Sequence, residues 1–471
     1  MTNKSLHIER VDSLHVTARE FYDRFVSQRK PCLISGIRLE SAKIQKWRDV
    51  EYLIEKAGNQ TVQIEEKVNG AFGSGKKRHS LPFATFLNKL QSGESYMTTQ
   101  YSQGEDAFGM YCQQPLSALI SDFPSHPDLL PTLVPQQVNL WMGATPQPRS
   151  TSLLDSAFNK SQGTTSGLHH DFADNLYILL RGRKRFTLFP PKDARKMYTY
   201  GKIRRVCENG LIVYGNEGGE MRADGAFLDD VTRWRVDKAE KKVEELREQG
   251  ASEEEIGEAE SAVEEALDAM LDLGGFDPSD SERVEAKKSK IKGEKSKEVE
   301  KKEPPSFSKI PYSVLHSDPS LNTSFPKLKE ATRYECTIES GQMLYLPAGW
   351  FHEVTSFGSE TDSVHMAFNY WFHPPTTSDF DKPYEDEYWQ DQWEELEKEA
   401  DRLRRVIKCS EAERSAAVQG GNKRKEAEST KVSNDKDKTR SKKAKTSAEN
   451  LSSKNIKTTK RSKWTVTTIE A

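Results

Sequence analysis

The chain has few cysteines, few apolar residues for its length and no long hydrophobic run, and each shortage excludes something. Its five cysteines (Cys32, Cys112, Cys207, Cys336, Cys409) are odd in number, scattered and without a C-x-x-C pair. That pattern argues against a disulfide framework or a cysteine-based zinc module and fits a reducing compartment. No stretch approaches about 18 apolar residues, so no membrane span is expected, and the opening residues lack the apolar core of a signal peptide. Hydrophobic residues make up 35% of the 471 and charged residues 30%. An ordinary globular domain is roughly 45–50% apolar, so part of this chain is not core.

The charge is unevenly spread. It concentrates in Val236–Pro305 and Gly421–Lys463, and the rest reads as globular sequence. From Gly421 to Ala471 there are 15 Lys and Arg against 6 Asp and Glu, a balance of +9, so the net −3 leaves −12 for the remainder. An acidic body is a poor template for a nucleic-acid-binding fold, although the basic tail alone could touch polyanions weakly. The tail also carries Lys423-Arg424-Lys425 and Arg440-Ser441-Lys442-Lys443-Ala444-Lys445. These read equally well as nuclear import patches or as solvated linker, so nucleus and cytoplasm both stand.

Periodicity predicts helices over Ala18–Ser27, Val50–Ala57 and Pro82–Leu90, and strands over Pro31–Ile37, Thr61–Glu65, Phe108–Gln113 and Gln137–Met142. Gly143–Thr165 reads as a surface loop. Asn175–Leu180 and Lys184–Phe189 read as partner strands about a turn at Arg181-Gly182-Arg183. After Pro305 a second meander follows over Arg333–Ile338, Gln342–Leu346, Phe351–Ser356 and Ser363–Phe372. Short strands with Gly and Pro turns suggest a sandwich or barrel. Between the meanders, Asp237–Glu248 and Glu253–Leu273 have helical spacing and suggest a projecting hairpin. Lys287–Glu303 alternates Lys and Glu, and the chain beyond about Ser410 is low-complexity; both read as disordered. Trp389–Arg405 is an amphipathic closing helix. The organisation expected is therefore a split β-rich domain over 1–235 and 306–408, a charged insert over 236–305 and a basic tail over 409–471.

Chemistry concentrates in two segments. In Ser166-Gly-Leu-His169-His170-Asp171, alternation lets His169 and Asp171 project to one side and turns His170 away. An imidazole and a carboxylate, completed by a second histidine, occupy one face of a divalent iron and leave three positions open for a chelating cosubstrate and oxygen. A lone H-x-D is more often a polar strand end. In Leu346-Pro347-Ala348-Gly349-Trp350-Phe351-His352, an apolar strand enters a Pro/Gly turn and re-emerges with a histidine, which alone would read as a core residue. Together each segment supplies what the other lacks. His365 and His373 are rival second ligands and rank lower, since neither follows such a turn.

These segments, with Asn175-Leu176, Gly182-Arg183-Lys184-Arg185-Phe186 through Pro191 and Phe368-Asn369-Tyr370-Trp371, resemble the JmjC oxygenases. These are a cupin-like, 2-oxoglutarate-dependent family, and the likeness is to their JmjC-only protein hydroxylases. It runs from about Phe21 to Trp371, the insert excepted. It implies a β-rich α+β fold built on a double-stranded β-helix (jelly-roll, cupin) with flanking helices. It also implies Fe(II) on His169, Asp171 and His352, 2-oxoglutarate as cosubstrate and O2 as oxidant. Lys184 matches the residue that pairs with the distal carboxylate of 2-oxoglutarate; Arg181 and Arg183 read as exposed turn residues. Ser166 matches a hydroxyl that meets the same carboxylate, and Asn175 and Asn369 match amides in the pocket. Tyr111 matches a tyrosine that hydrogen-bonds the cosubstrate, a core tyrosine being the alternative.

Three functions follow from that resemblance. The first is hydroxylation of an amino-acid side chain in a protein substrate, lysyl-type favoured. The second, removal of N-methyl groups from lysine, uses the same iron chemistry, but no Cys/His reader finger or second module is present to hold chromatin. The third is a non-catalytic scaffold, against which the complete ligand set argues. The long loop before Thr165 and the insert leave the ligand set intact, because lengthening a loop costs little.

Overall fold

Two sheets face one another, and the chain crosses between them at tight turns. A computed structural model describes residues 6–36, 43–66, 78–101, 107–145, 164–215, 219–272, 303–316, 323–358 and 362–413. The expected loop before Thr164, the Lys/Glu run and the basic tail fall largely outside them. The chain divides into two units, Met1–Ile407 and Lys408–Ala471. The described sheets lie in the first unit; the described part of the second, 408–413, is helical.

Among the described residues the larger sheet has nine strands, in the order Glu9–Asp12, Cys32–Ser35, Gln342–Leu346, Asp174–Arg181, Val364–Phe372, Pro135–Ala144, Ser95–Met97, Thr61–Glu66 and Arg78–Pro82. The smaller has five: Leu6–His7, Tyr334–Glu339, Arg183–Phe189, Phe351–Phe357 and Thr164–Thr165. This is the jelly-roll, β-rich α+β architecture, with helices covering the outer face of the larger sheet.

The central strand Asp174–Arg181 shows why its sequence is continuously apolar. Leu176, Ile178 and Leu180 point outward, into a core shared with Phe21, Trp47 and Phe86 of the helical layer. Tyr177 and Leu179 point inward, against Phe186, Leu188, Leu344 and Leu346 between the sheets. A strand buried on both faces needs no polar alternation.

The two meanders are not hairpins. Asp174–Arg181 pairs with Gln342–Leu346 and Val364–Phe372, whereas Arg183–Phe189 pairs with Tyr334–Glu339 and Phe351–Phe357. The expected partner strands therefore lie in opposite sheets. Gly182 sits at the crossing with φ +80°, and a Cβ there would meet the Phe357 carbonyl at 2.6 Å, so only glycine turns this corner. A second correction concerns Phe108–Gln113, where the chain forms a short helix, Ala107–Tyr111. A brief apolar run cannot by itself separate the two states. The insert does form two helices, Leu228–Glu248 and Glu253–Asp272. The first begins nine residues before the predicted Asp237, because Val231 and Trp234 pack on Tyr388 at the start of the closing helix 388–413.

Candidate active site

His169 and Asp171 lie in the extended stretch before Asp174–Arg181, not within a regular strand; His352 is the second residue of Phe351–Phe357 in the smaller sheet. A pair of backbone hydrogen bonds joins the two segments: the His352 N–H donates to the His169 carbonyl at 2.7 Å, and the His169 N–H donates to the His352 carbonyl at 3.1 Å. Among the described residues, His169, Asp171 and His352 form the group of potential ligands whose donor atoms all lie within 4.8 Å of one another. His352 Nε2 is 3.7 Å from Asp171 Oδ2. Each imidazole is oriented from behind, since His169 Nδ1 lies 3.0 Å from the Gly167 carbonyl and His352 Nδ1 lies 3.0 Å from the Trp350 carbonyl. A carbonyl only accepts, so in the neutral ring Nδ1 carries the proton and Nε2 presents the lone pair a metal binds. Burial, aided by the neighbouring His352, lowers the pKa of His169 to about 4 and keeps it neutral. Two such nitrogens and a carboxylate suit an octahedral ion with open positions, so the residues present fit iron.

The triad faces a cavity of about 690 Å³, and Lys184 lies on its wall. Lys184 is 2% exposed. Its ammonium donates to the Tyr96 hydroxyl at 3.3 Å and lies over the Tyr96 and Tyr177 rings. Among the described residues no carboxylate pairs with it, and desolvation alone pulls its pKa down to about 7. A buried cation without a counter-ion costs several kcal/mol on the order of magnitude, and an anion entering the cavity would remove that cost.

Comparison with known proteins agrees with this geometry. A family model described as a cupin-like domain matches residues 18–378. The chain is 34% identical over 425 residues to JmjC domain-containing protein 4 of Schizosaccharomyces pombe, covering 80% of this chain and 87% of that protein. The chain belongs to the cupin-like JmjC oxygenase family. More distant JmjC relatives are the lysine-specific demethylase JMJ32 of Arabidopsis thaliana (21% identity; 78% of this chain, 81% of that protein) and the human bifunctional peptidase and (3S)-lysyl hydroxylase JMJD7 (20%; 76% and 81%). Members of the family use Fe(II) and 2-oxoglutarate.

The remaining JmjC-matched residues divide. Ser166 lines the cavity, its hydroxyl accepting from the Val354 N–H at 3.2 Å and donating to the Gly167 carbonyl at 3.0 Å. Asn175 also lines it, its Oδ1 accepting from Asn369 Nδ2 at 2.9 Å, and the Asn369 Oδ1 accepts from the Trp141 indole at 2.8 Å. Asn369 is thus fully buried behind Asn175. Tyr111 is elsewhere: it is buried in the core on the outer side of the larger sheet, its ring edge-on to Trp393. The short helix that replaces the expected strand carries it there. Three tyrosines line the cavity, Tyr96, Tyr101 and Tyr177, and the hydroxyl that meets Lys184 is that of Tyr96, on the short strand Ser95–Met97, where no local motif marks it. Of the rival histidines, His365 is buried against Tyr96 and Gly143, and His373 stacks on Trp389. His170 faces away from the triad, with Nε2 2.7 Å from the Tyr214 hydroxyl.

Phe307, just after the insert, was also unmarked in the sequence. Its ring stacks on His169 at 4.8 Å. It lines both the first cavity and a second, of about 810 Å³, which also reaches His169 and Asp171. Its described wall includes glutamines such as Gln113, Gln137 and Gln392, the indoles of Trp389 and Trp393, and Glu395, with no lysine or arginine among the described residues.

Proposed function

We propose that this chain is an Fe(II)- and 2-oxoglutarate-dependent dioxygenase that hydroxylates an amino-acid side chain, of lysyl type, in a protein substrate. The observation that carries the reading is the pairing of an open His169–Asp171–His352 face with a buried Lys184 that has no carboxylate partner among the described residues. His169, Asp171 and His352 would hold the iron; Lys184 and Tyr96 would hold the distal carboxylate of 2-oxoglutarate, with Ser166 and Asn175 beside it. When bound, iron and 2-oxoglutarate supply the oxidation of an unactivated C–H bond by dioxygen, with 2-oxoglutarate leaving as succinate and carbon dioxide. The chain would position the reactants: Phe307 and Trp371 border both cavities, so a cosubstrate in the first and a substrate in the second would meet at His169 and Asp171. The second cavity supports a polypeptide substrate, because amide side chains match the donors and acceptors of an extended backbone.

The names of the relatives favour lysine as the residue modified, by hydroxylation in one and by demethylation in another. Both outcomes draw on the same oxidation, and mass spectrometry of candidate lysyl peptides separates them. Gain of one oxygen supports hydroxylation, and loss of a methyl group makes the chain a demethylase. Iron-replete protein that releases no succinate from 2-oxoglutarate with any peptide would leave a non-catalytic scaffold.

A further inference from the structure

Asp174 lies three residues after the ligand Asp171 and is completely buried. Its carboxylate receives four hydrogen bonds. Arg29 contributes two, Nη1 to Oδ2 at 2.7 Å and Nη2 to Oδ1 at 2.5 Å; the Tyr345 hydroxyl donates to Oδ2 at 2.5 Å; and the Ala348 N–H donates to Oδ1 at 3.0 Å. A carboxylate offers about four lone-pair sites, and all are used.

The donors come from three segments. Ala348 is in the Pro347–Trp350 turn, four residues before the ligand His352, and Tyr345 is on the strand entering that turn. The next residue, Gly349, donates its N–H to the carbonyl of Asp171 at 3.0 Å. A Cβ at Gly349 would lie 1.9 Å from the Gly210 carbonyl, so the turn is tightly enclosed. Arg29 belongs to the N-terminal segment, far away in sequence. It is not glycine, yet it adopts φ +53°, a conformation held only when its surroundings over-determine it. They do: its Nε donates to the Asn209 carbonyl at 2.7 Å, and its own carbonyl accepts from the Trp350 indole at 3.0 Å. Arg29 thereby holds Asp174 by its side chain and the His352 turn by its backbone.

We infer that Asp174, clamped by Arg29, is a positioning residue that sets the placement of His352 relative to His169 and Asp171. A buried ion pair is a weak source of net stability compared with apolar packing, so its role here lies in what it joins. This one ties the segment of two ligands to the turn that aims the third. The inference rests on the metal-site reading above.

The test is titration of the full chain with Mn(II), read by electron paramagnetic resonance, and with Co(II), whose visible absorption reports ligand number and geometry. Asp174→Asn is expected to weaken Mn(II) binding about 10- to 100-fold, the usual effect of losing a partner behind the ligands, and to alter the Co(II) spectrum. Tyr345→Phe, which removes one bond of the four and leaves the charge pair intact, is expected to weaken it about 2- to 5-fold, as loss of one hydrogen bond does. Phe83→Leu, a core change in the helix Phe83–Lys89 away from both cavities, should lower the thermal midpoint and leave Mn(II) affinity within about twofold. The assignment is overturned if both site variants bind Mn(II) like the wild type, or if Phe83→Leu weakens binding as much as they do. Should Asp174→Asn not fold, Tyr345→Phe against Phe83→Leu decides. A wild-type chain that binds neither ion removes the metal reading itself, a result distinct from equal binding by wild type and variants.

Discussion

The two cavities that meet at His169 and Asp171 are of similar volume, and their walls differ. Among the described residues, the first contains the buried Lys184 ammonium with no carboxylate partner, besides Arg78 paired with Glu65; the second is lined by glutamines and indoles and by no lysine or arginine. A small dicarboxylate gains most where desolvation makes an unpaired positive charge costly, whereas an extended chain needs many modest contacts over a longer wall. The difference teaches that buried charge rather than size distinguishes the two cavities. Removing the metal ligands, removing the cation and titrating the cation each test that distinction.

The largest effect is expected at the junction itself. Replacing His169 or Asp171 by Ala should abolish succinate formation from 2-oxoglutarate, and a double variant that is metal-replete and still turns over would break the scheme. Next, Lys184→Met should raise the KM for 2-oxoglutarate about 10- to 100-fold, the worth of a hydrogen bond to a charged group. It should leave the KM for 2-oxobutyrate, which lacks the distal carboxylate, nearly unchanged. The same variant should raise the thermal midpoint of the cosubstrate-free protein, because it deletes an uncompensated buried charge. Equal effects on the two oxo acids would mean that Lys184 does not read the distal carboxylate.

The pH dependence follows from Lys184, whose pKa is lowered to about 7 before any anion binds. The ammonium form pairs with a carboxylate. Above about pH 7 the free protein has lost that proton and must regain it on binding, so 2-oxoglutarate affinity should fall as pH rises, approaching tenfold per unit. In the cosubstrate-free protein the sign is opposite for stability. Between about 7 and the ordinary lysine value of 10.5, the unfolded chain binds more protons at this site, so this group's contribution rises with pH. Calorimetric binding and thermal melts across pH 6.5 to 9 (on the order of the window those values define) check both. The smallest effect should come from Tyr96→Phe, about a 2- to 5-fold rise in the KM for 2-oxoglutarate, since one neutral hydroxyl is lost.

Much of this was legible in the chain, and the failures have physical causes. The H-x-D pair and the Pro-Ala-Gly-Trp-Phe-His segment announce themselves because metal chemistry restricts residue type and turns restrict backbone. Helices such as Val50–Ala57 and Glu253–Asp272 follow from local periodicity. Strand partnership did not, because a strand's pattern says which faces are buried and not which neighbour buries them. Asp174–Arg181 and Arg183–Phe189 look like a hairpin until Gly182 sends them to different sheets. Tyr111 and Tyr96 show the same limit at a single residue. Both are buried tyrosines within short elements, and only the course of the chain separates the one against Trp393 from the one against Lys184.

The sequence by itself determined the residue types of the His169–Asp171–His352 group, their spacing within each segment, the turn that precedes His352 and the lysine that follows the first pair. These depend on residue chemistry and on contacts a few positions apart. Only the tertiary structure decided that Tyr96 and Phe307 wall the site, that Tyr111 does not, and that Arg29 and Asp174 meet across 145 positions. Such contacts depend on how the sheets stack and where the chain crosses between them, and a local pattern carries no record of either.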